Sequence, residues 1–99
     1  MILIVTGAAK LRIQEISDYY KSYVSARVAN KIRSSILSAL KYVKANPNAG
    51  QIEELIDHSN IPYRRHVVGN YKIIYRIEAN VIYVTDVFDA RQNPAKVLL

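Results

Sequence analysis

Between residues 61 and 88 the chain switches to a period near two. Three runs, 61–68, 71–77 and 81–88, alternate apolar with polar side chains or concentrate β-branched and aromatic ones, which predicts strands. Gly69-Asn70 separates the first two runs; glycine reaches the positive φ that a two-residue hairpin demands. Ala79-Asn80 offers a second tight turn, since asparagine also tolerates the left-handed region. An antiparallel meander follows, and its turns set the register. Val68 should face Tyr71, His66 Ile73 and Arg64 Tyr75; Ile77 should face Ile82, Arg76 Tyr83 and Tyr75 Val84. Alternation then gives a core face of Val68, Tyr71, Ile73, Tyr75, Ile77, Ile82, Val84 and Phe88. The opposite face carries Tyr63, Arg65, Val67, Lys72, Ile74, Arg76, Tyr83 and Thr85. Arg64, His66 and Asp86 fall on the apolar side, a strain that a rim position or a bulge would relieve.

Upstream the period lengthens. Ile2–Val5 is a continuous apolar run, read as a short strand buried on both faces. Thr6 fits a helix N-cap, and Ala9, Ile13, Ile16, Tyr20 and Tyr23 recur at helical spacing, predicting a helix over 8–23. Ser25 caps a second helix ending near Ala45, with Ala29, Ile32, Ile36, Ala39, Leu40 and Val43 on one stripe. Asn46-Pro47-Asn48-Ala49-Gly50 stops it. So short a connection forces the helices antiparallel, and together they cover the core face. Residues 51–60 fit a helical turn or a strand equally well. The expected fold is α+β: a short N-terminal strand and an antiparallel helical hairpin packed on one face of a small antiparallel sheet, one domain over 1–99.

Composition narrows the chemistry. No cysteine is present, so disulfides and thiolate zinc sites are excluded. The N-terminal apolar run is far too short for a membrane span or a secretory segment, and a cytoplasmic location is the expectation. Fourteen Lys and Arg against eight Asp and Glu give +6, which suits an anionic partner but also lies within the ordinary range for a small soluble domain.

RNA cleavage at the 2′-OH would need a base, an acid and cations facing the phosphorus. Arg65, Lys72, Arg76 and Arg91 are candidate cations; Tyr63, Tyr83, His66, Asp86 or Asp89 are candidate proton carriers. The same residues also fit a solvated sheet face whose long stems cover apolar neighbours. For His66 the structural role is the better reading. His58 and His66 lack a carboxylate pattern, and no glycine-rich phosphate loop or nucleophile elbow occurs; neither metal nor cofactor is expected. Tyr63 and Tyr83 are available for stacking on a base.

Read together, several words of this chain resemble the RelE/ParE superfamily of small bacterial toxins. They are the Ile32–Leu40 helix running into Asn46-Pro47-x-x-Gly50, then Tyr63-Arg64-Arg65, the strand Gly69–Ile77, and the ending Val87-Phe88-Asp89-Ala90-Arg91-Gln92-Asn93-Pro94. The resemblance implies the toxin of a type II toxin–antitoxin module, held in a hetero-oligomer by a cognate antitoxin whose extended segment wraps it. RelE-like members cut mRNA on the ribosome with basic and proton-transferring residues on the open sheet face; Lys72 stands where that branch carries a cation, and Arg65, Arg76 and Arg91 are its possible helpers. ParE-like members act on DNA gyrase and carry no such constellation. Asp89-Ala90-Arg91 sits where a ribonuclease would offer His, Arg or Tyr, and a carboxylate there repels phosphate. The ParE-like branch is therefore favoured, a binding protein rather than an enzyme. Its target-binding residues are expected among Tyr63, Arg65, Lys72, Arg76, Tyr83, Asp89 and Arg91, with the C-terminal segment 89–99 contributing.

Overall fold

Both turns close as the sequence requires: Gly69 has φ 58°, and Ala79 and Asn80 have φ 49° and 64°. The computed structural model describes residues 1–53 and 61–98. Strands β3 (Arg64–Val68), β4 (Tyr71–Glu78) and β5 (Val81–Asp89) form the meander; β2 (Gln51–Ile52) and β1 (Ile2–Val5) complete the five-stranded sheet. All six expected pairings are present. Past Tyr75 and Val84 the register shifts: Ile74 lies opposite Asp86, so Thr85 is the extra residue of a β-bulge. The bulge reverses the faces of the rest of β5. Val87, opposite Ile73, joins the core, and Phe88, opposite Lys72, turns to the other side, correcting its expected place among the core residues.

The sheet order is β1-β5-β4-β3-β2. β1 runs parallel to β5, from Ile2 opposite Val81 to Val5 opposite Val84, so the sheet is mixed rather than wholly antiparallel. Nor is β1 buried on both faces. Leu3 and Val5 pack into the core while Ile2 and Ile4 are exposed, because β1 is an edge strand and the helices cover only one side. The ambiguous stretch divides: Gln51 and Ile52 pair with Arg65 and Arg64, and the remainder of that stretch, including His58, lies outside the described residues.

Helices α1 (Gly7–Tyr23) and α2 (Ala26–Ala45) begin at side-chain caps. The Ala9 amide donates to Thr6 Oγ1 (3.2 Å) and the Val28 amide to Ser25 Oγ (3.1 Å), each cap worth about 1 kcal/mol. The hairpin lays Ala9, Ile13, Ile36, Ala39, Leu40 and Val43 against Ile73, Tyr75, Ile82, Val84 and Val87. Burying each large aliphatic chain contributes about 1.5–3 kcal/mol. Arg64 and His66 sit at the rim: Arg64 donates to the Gly50 carbonyl (2.7 Å), and His66 stacks on Tyr42 with ring centres 4.9 Å apart. Among the described residues no helix is long and apolar enough to cross a membrane.

Tyr75 is fully buried, and its hydroxyl donates to the Pro47 carbonyl at 2.8 Å. A Cβ on Gly50 would fall on that hydroxyl and on the Arg65 carbonyl, so this loop needs glycine. Burial pushes the Tyr75 and Tyr71 hydroxyls above the usual tyrosine value. The unfolded chain ionises these phenols near pH 10 while the folded chain keeps them protonated. Stability from this source is complete below about pH 10 and declines as pH climbs above it. Alkaline titration followed by tyrosinate absorbance, compared with Tyr71→Phe and Tyr75→Phe, should show these two hydroxyls ionising late, together with unfolding; ionisation of both near pH 10 in the folded state would contradict the burial.

Candidate functional site

Strand alternation puts Lys72, Ile74 and Arg76 of β4 on the face turned away from the helices. Arg65 lies opposite Ile74 and Tyr83 opposite Arg76. The three expected cations therefore share one surface, and none of them is bare. Glu53, only 2 % exposed, receives a hydrogen bond from Lys72 Nζ at 3.0 Å and lies 3.8 Å from the Arg65 guanidinium. Arg65 also donates to the Ile52 carbonyl (2.6 Å) and to Gln51 Oε1 (2.7 Å). Arg76 pairs with Glu78 at 3.2 Å, and its guanidinium lies 4.6 Å from the centre of the Tyr83 ring and 6.0 Å from that of Tyr63. Such cation–π contacts contribute about 0.5–1 kcal/mol at exposed sites. The tyrosines expected to stack on a ligand thus flank an arginine of their own chain.

Glu53 organises this surface, and no sequence signal singled it out. It follows a two-residue strand in the least legible stretch. Its amide donates to the Tyr63 carbonyl at 2.8 Å, extending the β2–β3 pairing and turning the carboxylate toward Lys72.

A second apolar centre lies on the same face. Ile74 and Phe88 are buried there with Tyr63 and Val97 against them. The C-terminal tail therefore packs on the outer face of the sheet, not on the helices. What fastens it is Asp86, fully buried. Its Oδ1 accepts from the Val87 amide (2.8 Å) and Arg12 Nε (2.9 Å), and its Oδ2 accepts from the Leu98 amide (3.0 Å). Beyond Val84 no β1 residue pairs with β5, and Arg12 of α1 reaches Asp86 there. One carboxylate ties together α1, β5 and the tail.

Asp89 and Arg91 stand apart from the basic face. Arg91 forms a bidentate pair with Asp89, at 2.9 Å to Oδ1 and 2.7 Å to Oδ2, and its amide donates to the same Oδ1. The Arg91 hydrogen bonds hold the Asp89 carboxyl below the usual carboxylate range, and Asp89 in turn holds Arg91 more firmly charged. This pair edges a cleft of about 460 Å³ between α1 and the end of the sheet, lined also by Arg12, Tyr19, Tyr20 and Tyr71. The Tyr71 and Tyr20 hydroxyls are 3.4 Å apart across it. The seven candidate residues thus divide, five on the outer sheet face and two at the cleft.

Arranged this way, the surface is suited to holding a macromolecule more than to transferring protons. Each candidate cation lies beside a carboxylate, Lys72 and Arg65 sharing Glu53, and His66 belongs to the helix-side rim. Among the described residues no three His, Asp or Glu side chains cluster as metal ligands.

The family model described as the ParE toxin of the type II toxin–antitoxin system parDE matches residues 3–94. No curated protein matches the chain. The fold is similar to a solved chain of the chromosomal ParDE toxin–antitoxin system from P. aeruginosa, with a TM-score of 0.74 at 20 % identity, covering 90 % of this chain and 95 % of that one. From the family match over nearly its whole length, this chain belongs to the ParE toxin family of type II toxin–antitoxin systems.

Proposed function

We propose that this toxin acts on DNA gyrase, holding it with its DNA cleaved so that replication converts the trapped complex into double-strand breaks, rather than cutting mRNA on the ribosome. The observation that carries the choice is the pairing of the cations. Phosphoryl transfer needs positive charge aimed at the phosphate and a proton carrier beside it. Here Glu53 occupies the point where Lys72 and Arg65 converge, and Asp89 occupies Arg91. The family comes as one half of a toxin–antitoxin pair, so a cognate antitoxin is its partner. In this reading the two form a hetero-oligomer in the cytoplasm, and the excess of basic residues suits an acidic antitoxin segment that folds on binding. Gyrase contacts are assigned to Tyr63, Arg76 and Tyr83 with the tail across the same face, and to Asp89 and Arg91 at the cleft rim.

Inducing the chain in bacteria without its antitoxin tests the reading. Growth should stop and gyrase cleavage complexes should accumulate while transcripts stay intact. Codon-positioned mRNA cuts, or undisturbed growth, would contradict it.

A further inference from the structure

The charge of this protein is unevenly placed. Helix α2 carries Arg27, Lys31, Arg33, Lys41 and Lys44 and not one carboxylate, against a net charge of +6 for the whole chain. All five side chains are exposed. Among the described residues none of the five makes an ion pair, whereas Arg12, Arg65, Lys72, Arg76 and Arg91 each have at least one. We propose that the outward face of α2 binds the phosphate backbone of duplex DNA.

Helical spacing shows why a row of phosphates is the fitting occupant. Arg27, Lys31, Ser34, Ser38 and Lys41 follow one another at steps of four, three, four and three residues, so they form a single stripe. From Arg27 to Lys41 the stripe runs about 21 Å, close to the rise of about six base pairs. Its middle positions are exposed serines, small enough to let a phosphate approach and able to donate to it; lysine, arginine and serine are the side chains that commonly contact DNA phosphates. A partner helix from a protein would need an apolar seam to bury. The exposed Leu37 and Tyr42 flank the stripe on opposite sides, about 140° apart around the helix, and no seam joins them. This surface is separate from the sheet face assigned to gyrase, and its binding is measurable with protein and DNA alone.

The test uses the purified toxin and a fluorescent duplex of about 20 base pairs, followed by anisotropy between about 50 and about 200 mM salt. Three phosphate contacts predict an affinity that falls about fortyfold over that range. The variant R27Q/K31Q/K41Q should lose most of that salt dependence and bind at least about tenfold more weakly at the lower salt. A charge-matched control, K10Q/K21Q/K96Q, should retain most of the binding. All six positions are exposed, and thermal melts would confirm that both variants fold. Absence of binding by the wild type, equal loss in both variants, or tighter binding to single-stranded RNA of the same length would each overturn the proposal. So would a stripe variant that keeps DNA binding but loses capture of the antitoxin, which would assign the face to an acidic protein.

Discussion

Replacing Asp86 with alanine should cost about 3–5 kcal/mol of folding stability, the usual consequence of removing one partner from a buried ion pair. Asp86 is fully buried, and three groups from separate parts of the chain donate to it: Arg12 Nε, the Val87 amide and the Leu98 amide. Alanine strands both amides, and an unsatisfied buried donor costs about 1–3 kcal/mol. Arg12, whose side chain is 28 % exposed, can swing into water and recover part of its solvation. Against a total stability of about 5–15 kcal/mol for a domain of this kind, the loss is large. Urea unfolding measures it, and limited proteolysis should show the tail released before the rest unfolds. Asp86→Asn, which keeps an acceptor oxygen for one of the two amides, should lose less. A wild-type midpoint in Asp86→Ala would mean that the three-way tie contributes nothing.

Lys72→Ala should be nearly as damaging, and for a reason that bears on any test of activity. The ammonium lies 3.0 Å from Glu53 Oε2, with both side chains largely buried. Its removal takes the closest cation away from a buried carboxylate and leaves the Arg65 guanidinium at 3.8 Å. The expected cost lies toward the lower end of about 3–5 kcal/mol. A loss of toxicity in Lys72→Ala would then report unfolding rather than a missing catalytic cation. The pair K72M/E53Q separates the two. Removing both charges should restore much of the stability, giving a coupling energy above about 1 kcal/mol in a double-mutant cycle. If the double variant is as unstable as the sum of the singles, the pairing is not what holds these residues. If it is stable yet inactive, Lys72 acts on the target directly.

What could be read from residues alone was set by local chemistry. Gly69 and Asn80 fixed both hairpins because few residues accept positive φ, and two fixed hairpins determine the strand register up to the first irregularity. That irregularity, the bulge at Thr85, carries no glycine or proline to mark it; Thr85-Asp86 breaks the alternation with two polar residues in succession, which left a rim position and a bulge equally open. Phe88 therefore fell on the wrong side, and the apolar centre it forms with Ile74 and Val97 stayed hidden. β1 misled for a related reason. A run of four aliphatic residues reads as buried, yet an edge position leaves Ile2 and Ile4 uncovered. The cations Arg65, Lys72 and Arg76 were placed correctly on one face because alternation is a backbone property. Glu53, the partner of Lys72 and Arg65, was not foreseen, because it follows a strand of two residues that carries no period. Asp86 was visible as an anomaly, a carboxylate within an apolar run, and anomalies of that sort are where tertiary contacts take over from pattern.

Purified gyrase, supercoiled DNA and the folded toxin together give the most direct test of the central claim. Supercoiling should be inhibited and linear DNA should appear after denaturing the complex, with both effects abolished by prior addition of the cognate antitoxin. Full gyrase activity with a folded, antitoxin-binding toxin, alongside cleavage of ribosome-bound mRNA by the same preparation, would contradict it.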